Sequence, residues 1–334
     1  FIDIPSLTLD GAEGPWAGYR QFCQLCLYPL LLTAYRQIPF QPWLKGSLEG
    51  IEPGAAAALL CFTDRLRRGV FTHVYLQAKL ASRYEGVDRD LRHDVQKAGF
   101  GKELVLHNVR AMRKLISRLR WRQPRSTWSN YTDLTHYSEA DSAAKQQFVR
   151  DCLSQRPRKL VWDLGCNTGT YSELAASHAD YVVAMDGDHL AVERLYQRLK
   201  SLNNARILPL VIDLADPSPD RGWRNRERTA LHRRPEPDLI LCLALVHHLV
   251  ISANIPLREV LDWLASLARE LVIEFVCKDD PMVRRLLRNK RDQYADYSQR
   301  DFEEYMTRHF TILDRRSLDS GSRILYHARR RATE

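Results

Sequence analysis

From about residue 141 onward, short apolar runs alternate with helix-length amphipathic segments, and this rhythm leaves few folds open. A helix at 141–153 precedes an apolar strand at 159–164. Helices at 171–178 and 189–202 bracket a strand at 181–185, and further strands follow at 207–212, 238–243 and 271–276. A turn at 246–249 and a helix at 256–267 separate the last two of these. Helices at 281–288 and 301–309 then lead into closing strands at 310–315 and 322–328, joined by Asp319-Ser320-Gly321. Strands separated by helices predict a parallel sheet covered on both faces. The closing pair is hairpin-like and makes the last strand antiparallel.

The preceding region has a different rhythm. Segments 19–34 and 54–68 read as helices, and 100–120 as an amphipathic one. Its apolar face carries Leu104, Val105, Val109, Met112, Leu115, Ile116 and Leu119, and its basic face includes Arg110, Arg113 and Lys114. A connector at 122–130, with Pro124, divides the chain into a mainly helical module at 1–124 and an α/β domain at 125–334. Phe1 is no initiator, and Phe1-Ile-Asp-Ile4 reads as a strand, so the chain is expected to start inside a longer protein.

Several classes are excluded or disfavoured. No apolar run approaches the ~20 residues of a membrane span, and the best stretch, 23–35, is broken by Pro29. Seven cysteines, most of them in apolar segments (Cys61, Cys166, Cys242, Cys277), suit reduced thiols and a cytoplasmic location. Cys23 and Cys26 lack a second ligand pair, so they read as two buried helical thiols and no metal is expected. Fifty Lys and Arg against 41 Asp and Glu leave +9, a modest pull toward anions. Much of it lies in two Arg-rich segments, 221–234 and 284–291, which leave a nucleic-acid partner open.

The chemistry concentrates in Asp163-Leu-Gly165-Cys166-Asn167-Thr168-Gly169, between a buried strand and a helix, where an α/β sheet forms its first ligand turn. The glycine spacing is G-x-x-x-G. A dinucleotide fingerprint needs a glycine at Asn167, and no Gly-Lys-Ser/Thr follows to make a phosphate loop. The turn therefore allows close approach of a ligand without being built around a pyrophosphate. Asp186 ends the next strand, where a carboxylate can accept both hydroxyls of a ribose.

These residues, with V-V-A-M-D-G-D, V-I-D-L and L-A-L-V-H-H-L downstream, resemble the class I S-adenosylmethionine-dependent methyltransferases. The resemblance covers about residues 130–330 and implies a Rossmann-like seven-stranded sheet in order 3-2-1-4-5-7-6 with strand 7 antiparallel. A closer likeness is to methyltransferases related to rhizobial nodulation proteins. It is carried by Trp16-Ala-Gly-Tyr19-Arg-Gln-Phe22, the D-L-G-C-N-T-G form, and Asn254-Ile-Pro256-Leu257 after the paired histidines. The resemblance implies S-adenosyl-L-methionine as cofactor, with Gly165, Cys166 and Gly169 lining its methionine half. Asp163 would organise the loop, while Asn167 and Thr168 would donate to the carboxylate. Asp186 would hold the ribose, Gly187 and Asp188 would border the adenine, and Asp213 with Leu214 would meet its edge. Leu243 and Ala244 would flank the sulfonium. For Asp188, a helix N-cap is the competing role.

On the acceptor side, His247 and His248 follow the fourth strand at the carboxyl edge, and an imidazole near its ordinary pKa of about 6.5 suits a base at neutral pH. Glu274, ending the fifth strand, is a second acidic group at that edge or the partner of a nearby arginine. Trp128, Tyr131 and Tyr137 are candidates to roof the site, and Trp16, Tyr19 and Arg20 to shape an acceptor pocket. The expected reaction is methyl transfer to an O or N nucleophile of a small metabolite or biosynthetic intermediate. The alternatives are an RNA or ribosomal-protein methyltransferase and a non-catalytic nucleoside-binding module. Leu243-Ala-Leu-Val stands where methylation of amino groups on bases or glutamine uses Asn/Asp-Pro-Pro-Tyr/Phe.

Overall fold

The computed structural model describes residues 16, 18–67, 69–84, 102–122 and 137–332. The segment 1–4, the connector at 122–130 beyond its first residue, and Trp128 and Tyr131 lie outside the described residues. The chain divides into two compact units, Phe1–Gln123 and Pro124–Glu334.

In the first unit the helical run Tyr19–Phe22 passes through a π turn, Cys23–Leu27, into Tyr28–Arg36, and ends at Gln37 in the left-handed region (φ 57°). Leu27, Leu31 and Leu32 bury one side of this run against Ile51, Ala56, Val74, Met112 and Leu115. The helix expected at 54–68 is broken. Pro53–Leu59 is α-helical, Leu60 turns extended, and a 3-10 turn occupies Phe62–Leu66. The break is held by buried Asp64, which accepts from the Cys61 amide at 3.0 Å and pairs with Arg36 and Arg67 at 2.9 and 2.8 Å. The amphipathic helix spans Lys102–Ile116. All seven cysteines are free thiols, and Cys26 is exposed rather than buried, because the π turn swings it off the face that buries Cys23.

The second unit is a seven-stranded sheet in order β3-β2-β1-β4-β5-β7-β6. The strands are β1 (Arg158–Leu164), β2 (Ala179–Asp186), β3 (Ile207–Val211), β4 (Leu239–Cys242), β5 (Glu270–Val276), β6 (Phe310–Ser317) and β7 (Arg323–Arg330). β1 to β5 pair in parallel, whereas β7 is antiparallel to both β5 and β6. Alternation along the strands divides the core in two. Trp162, Leu164, Ile240, Cys242, Ile273 and Phe275 face one layer, filled by Leu257, Leu261 and Leu264 of helix Leu257–Leu267. Val161, Leu239, Leu241 and Val272 face the other, filled by Phe148 and Val149 of helix Glu139–Ser154 and Leu195 of helix His189–Ser201. The turn expected at 246–249 is the start of a π-helical turn, His248–Ser252. Among the described residues no helix is long and apolar enough to cross a membrane.

Candidate functional site

The carboxyl ends of β1, β2 and β4 bring the sequence motifs together. After β1, Gly165 (φ 77°), Asn167 (φ 49°) and Gly169 (φ 87°) all lie in the left-handed region. Glycine adopts it without strain and asparagine at little cost, which explains the residue types at these three positions. The amides of Gly165 and Cys166 both donate to the Met185 carbonyl, at 2.8 and 3.0 Å, tying the turn to β2. A Cβ on Gly169 would come within 2.5 Å of Leu195 Cδ1, so the missing side chain lets helix His189–Ser201 close on the turn. A Cβ on Gly165 would stand 3.3 Å from Leu245 Cδ1, which places the turn after β4 against the turn after β1.

Two carboxylates fix this turn. Asp163, 3% exposed, accepts from Ser172 Oγ at 2.6 Å, and burial pushes its pKa up to about 6. Asp186 accepts from the Asn167 amide at 2.8 Å through one oxygen and from the Asp188 amide at 2.8 Å through the other. Burial raises Asp186, against these hydrogen bonds, which lower it. Asp186 is half-buried, and a carboxylate with about four acceptor positions keeps capacity for a further donor. A Cβ on Gly187 would meet only the Ile212 carbonyl, at 3.8 Å, so open space borders the end of β2. These features fit a nucleoside whose ribose lies on Asp186 and whose base lies beside Gly187.

The remaining expected contacts divide. Asp188 is the N-cap of helix His189–Ser201, accepting from Leu190 and Ala191 amides at 2.9 and 3.1 Å. The Thr168 amide is engaged by Asn167 Oδ1 at 2.6 Å rather than presented outward. The buried Cys166 thiol is held well above its ordinary pKa by burial. Asp213 is exposed and accepts from the Ala215 amide at 3.0 Å, while Leu214 and Leu243 are buried. Ala244 lies in the left-handed region (φ 52°), a strained conformation for a residue with a Cβ. Arg198, absent from the sequence reading, donates to the Thr168 carbonyl at 2.5 Å and pairs with Glu173 at 2.8 Å, clamping the glycine turn. No motif marks it, because it reaches the turn only when its helix packs there.

The histidine pair lies deeper than expected. His247 is fully buried with no hydrogen-bond partner for either ring nitrogen, and its ring centroid is 4.1 Å from that of His248. Burial holds His247 well below its ordinary pKa and pushes His248 down to about 4. Neither imidazole titrates near neutrality, which corrects the sequence expectation; both are uncharged at pH 7. Lys290 Nζ and Tyr294 Oη donate to the Ile251 carbonyl, the latter at 3.0 Å, and so brace the π turn that follows.

A buried ionic cluster occupies the same edge. Lys145 Nζ pairs with Glu274 at 2.6 Å and donates to Tyr137 Oη at 2.9 Å. Tyr137 donates to Glu274 at 2.5 Å and accepts from Arg323 at 2.5 Å. Arg323 in turn pairs with Asp280 at 2.7 Å. Burial alone would raise Glu274, but Lys145 and Arg323 outweigh it and hold the carboxylate below its usual range. Glu274 is thus a paired group, and Tyr137 joins it. Sequence reasoning missed Lys145 entirely. Trp16 and Tyr19 pack edge to face in the first unit, where Tyr19 Oη meets His73 Nδ1 at 2.7 Å and Arg20 pairs with Glu52 at 3.0 Å. Among the described residues no group of three His, Cys, Asp or Glu is placed to hold a metal.

Sheet order, antiparallel β7, the glycine turn and the acidic end of β2 together define the class I S-adenosylmethionine-dependent methyltransferase fold. No family model matches the sequence. It is 31% identical over 328 residues to the nodulation protein NoeA of Rhizobium meliloti (strain 1021), covering 98% of this chain and 69% of that protein. The chain belongs to the NoeA nodulation-protein family. Among solved structures, N-methyltransferase NodS from Bradyrhizobium japonicum WM9 is 17% identical over 58% of this chain and 98% of its own, with a TM-score of 0.42. Magnesium protoporphyrin IX methyltransferase ChlM from Synechocystis PCC 6803 is 18% identical over 58% and 86%, also with a TM-score of 0.42.

Proposed function

We propose that the second unit transfers a methyl group from S-adenosyl-L-methionine to an O or N nucleophile of a small metabolite or biosynthetic intermediate. The observation that carries this reading is Asp186, latched by the amides of Asn167 and Asp188 at the end of β2, beside the open ground at Gly187. Asp186 would hold the ribose. Gly187 and the capped start at Asp188 would border the base, with Asp213 and Leu214 along its edge. Gly165, Cys166, Asn167, Thr168 and Gly169 would line the methionine half, organised from below by Asp163. Leu243 and Ala244 would flank the reacting end.

S-adenosyl-L-methionine supplies, when bound, a methyl group already activated for in-line displacement. The protein is left to orient the acceptor, exclude water and take its proton. His248 is the group we assign to the acceptor. Being neutral at pH 7, it can accept a proton as the new bond forms, and its lowered pKa makes it a weaker base than a free imidazole. His247, whose ring lies 4.1 Å away and tilted by 40°, would set the ring's position.

The test is a thermal-shift titration with S-adenosylhomocysteine, run alongside methyl-label transfer into fractionated small molecules, RNA and protein. A saturable shift that Asp186→Ala abolishes, with label entering the small-molecule fraction, is the expected result. No shift, or label only in RNA or protein, would reject the reading.

A further inference from the structure

The crossover between β3 and β4 carries a structured turn that the proposed reaction does not use. Arg221 and Arg228 form an antiparallel bridge, with amide-to-carbonyl distances of 2.9 and 3.1 Å. Within it, Asn225 donates to the Gly222 carbonyl at 3.0 Å and Arg226 to the Trp223 carbonyl at 3.2 Å. Gly222 (φ 83°) has no room for a side chain, since a Cβ would lie 2.4 Å from Glu227 Cβ. Arg224 and Asn225 both take left-handed backbone angles, at φ 55° and 56°. This is a small, internally bonded finger rather than a loose linker.

Its tip presents an unusual pair of properties. Trp223 is 79% exposed, and it is the only exposed tryptophan among the described residues. Residues 223–227 are exposed in succession, so the tip projects rather than forming a groove. Residues 221–228 contain four arginines and one acid. That acid, Glu227, folds back onto the Trp223 amide at 2.9 Å, and the neighbouring Asp220 is taken by Arg233 at 2.9 Å. The tip therefore offers outward a bare indole amid positive charge.

We propose that the turn 221–228 docks this protein on an anionic phospholipid surface, with Trp223 entering the interface and Arg224 and Arg226 meeting the headgroups. An indole is favoured at the boundary between water and acyl chains, where its ring is buried and its N–H stays wet. Each arginine near an anionic surface adds a roughly independent attraction that salt screens. A single-stranded nucleic acid would instead call for a groove with several stacking rings, and this tip has one ring on a projection. The proposal stands apart from the methyl-transfer reading and does not depend on it.

Sedimentation with vesicles tests it, using phosphatidylglycerol and phosphatidylcholine in equal parts against phosphatidylcholine alone. Binding is expected to the anionic vesicles only, and to weaken as salt rises from about 50 to about 500 mM. R224Q/R226Q should lower partitioning about thirty-fold and W223A about ten-fold, each with an unchanged melting temperature. Quenching by brominated lipid should be seen in the wild type and reduced in W223F. Equal binding by wild type and variants, no binding to either vesicle, or binding to single-stranded RNA that vesicles do not compete would overturn the proposal.

Discussion

Lys145 Nζ stands 2.6 Å from Glu274 Oε2, both side chains are enclosed by protein, and 129 residues separate them in sequence. Glu274→Gln removes the carboxylate paired with Lys145 and should cost about 3–5 kcal/mol, whereas Lys145→Met leaves Glu274 paired with Arg323 at 3.4 Å and should cost less. The double variant should cost clearly less than the two together. A urea-denaturation cycle checks this, and strict additivity would contradict the pairing. The folded carboxylate of Glu274 is held below its unfolded value, so its contribution is present above the unfolded pKa. It is lost as pH falls through the folded one.

Asp163 has the opposite sign. Its folded pKa of about 6 lies above an unfolded value of about 3.9, so between these the native state binds the extra proton. Stability therefore declines as pH rises from about 4 to about 6. Asp163→Asn, which keeps an acceptor for Ser172, should flatten that slope and raise stability at pH 7 by about 2 kcal/mol. The same change should weaken S-adenosylhomocysteine binding. Melting temperatures across pH, with and without ligand, measure both effects.

Gly169→Ala should be among the most damaging small substitutions. It forces a Cβ into φ 87° and to within 2.5 Å of Leu195 Cδ1, at a combined cost of about 2–4 kcal/mol. Adding Leu195→Ala removes the clash but leaves the backbone strain and a cavity. The double variant should stay less stable than the wild type in thermal denaturation.

The brace on the histidine turn should separate turnover from cofactor binding. Tyr294→Phe deletes hydrogen bonds to the Ile251 carbonyl at 3.0 Å and to Asn254 Oδ1 at 2.5 Å. We expect kcat to fall several-fold with S-adenosylhomocysteine affinity unchanged. Equal loss in both would mean that the brace serves the whole fold.

His248→Gln should lower turnover about 100-fold or more and leave ligand-induced thermal shifts intact. Activity close to wild type would remove His248 from the proposed mechanism.

How much could be read before folding depends on the range of the interaction. The alternation of strands and helices is local, and it was enough to place all seven strands to within about two residues. The glycine turn was legible because left-handed backbone at Gly165 and Gly169 demands a residue without a side chain. Asp188 showed both of its roles in advance, and the capping one is present in the fold. The broken helix after Leu59 was not legible. Its cause is Asp64, drawn inward by Arg36 from a distant helix.

The sequence alone therefore determined the layer architecture and the ligand turn, because backbone propensity and apolar period act between near neighbours. Only the tertiary structure decided the state of the ionisable groups. Strand alternation puts Glu270, Val272 and Glu274 on one face of β5, but register with β7 and the docking of helix Glu139–Ser154 bring Arg323 and Lys145 to Glu274. The histidines were visible as a motif, and burial then removed their titration from neutral pH. Desolvation and long-range pairing depend on what the rest of the chain packs around a group, and no local pattern records that.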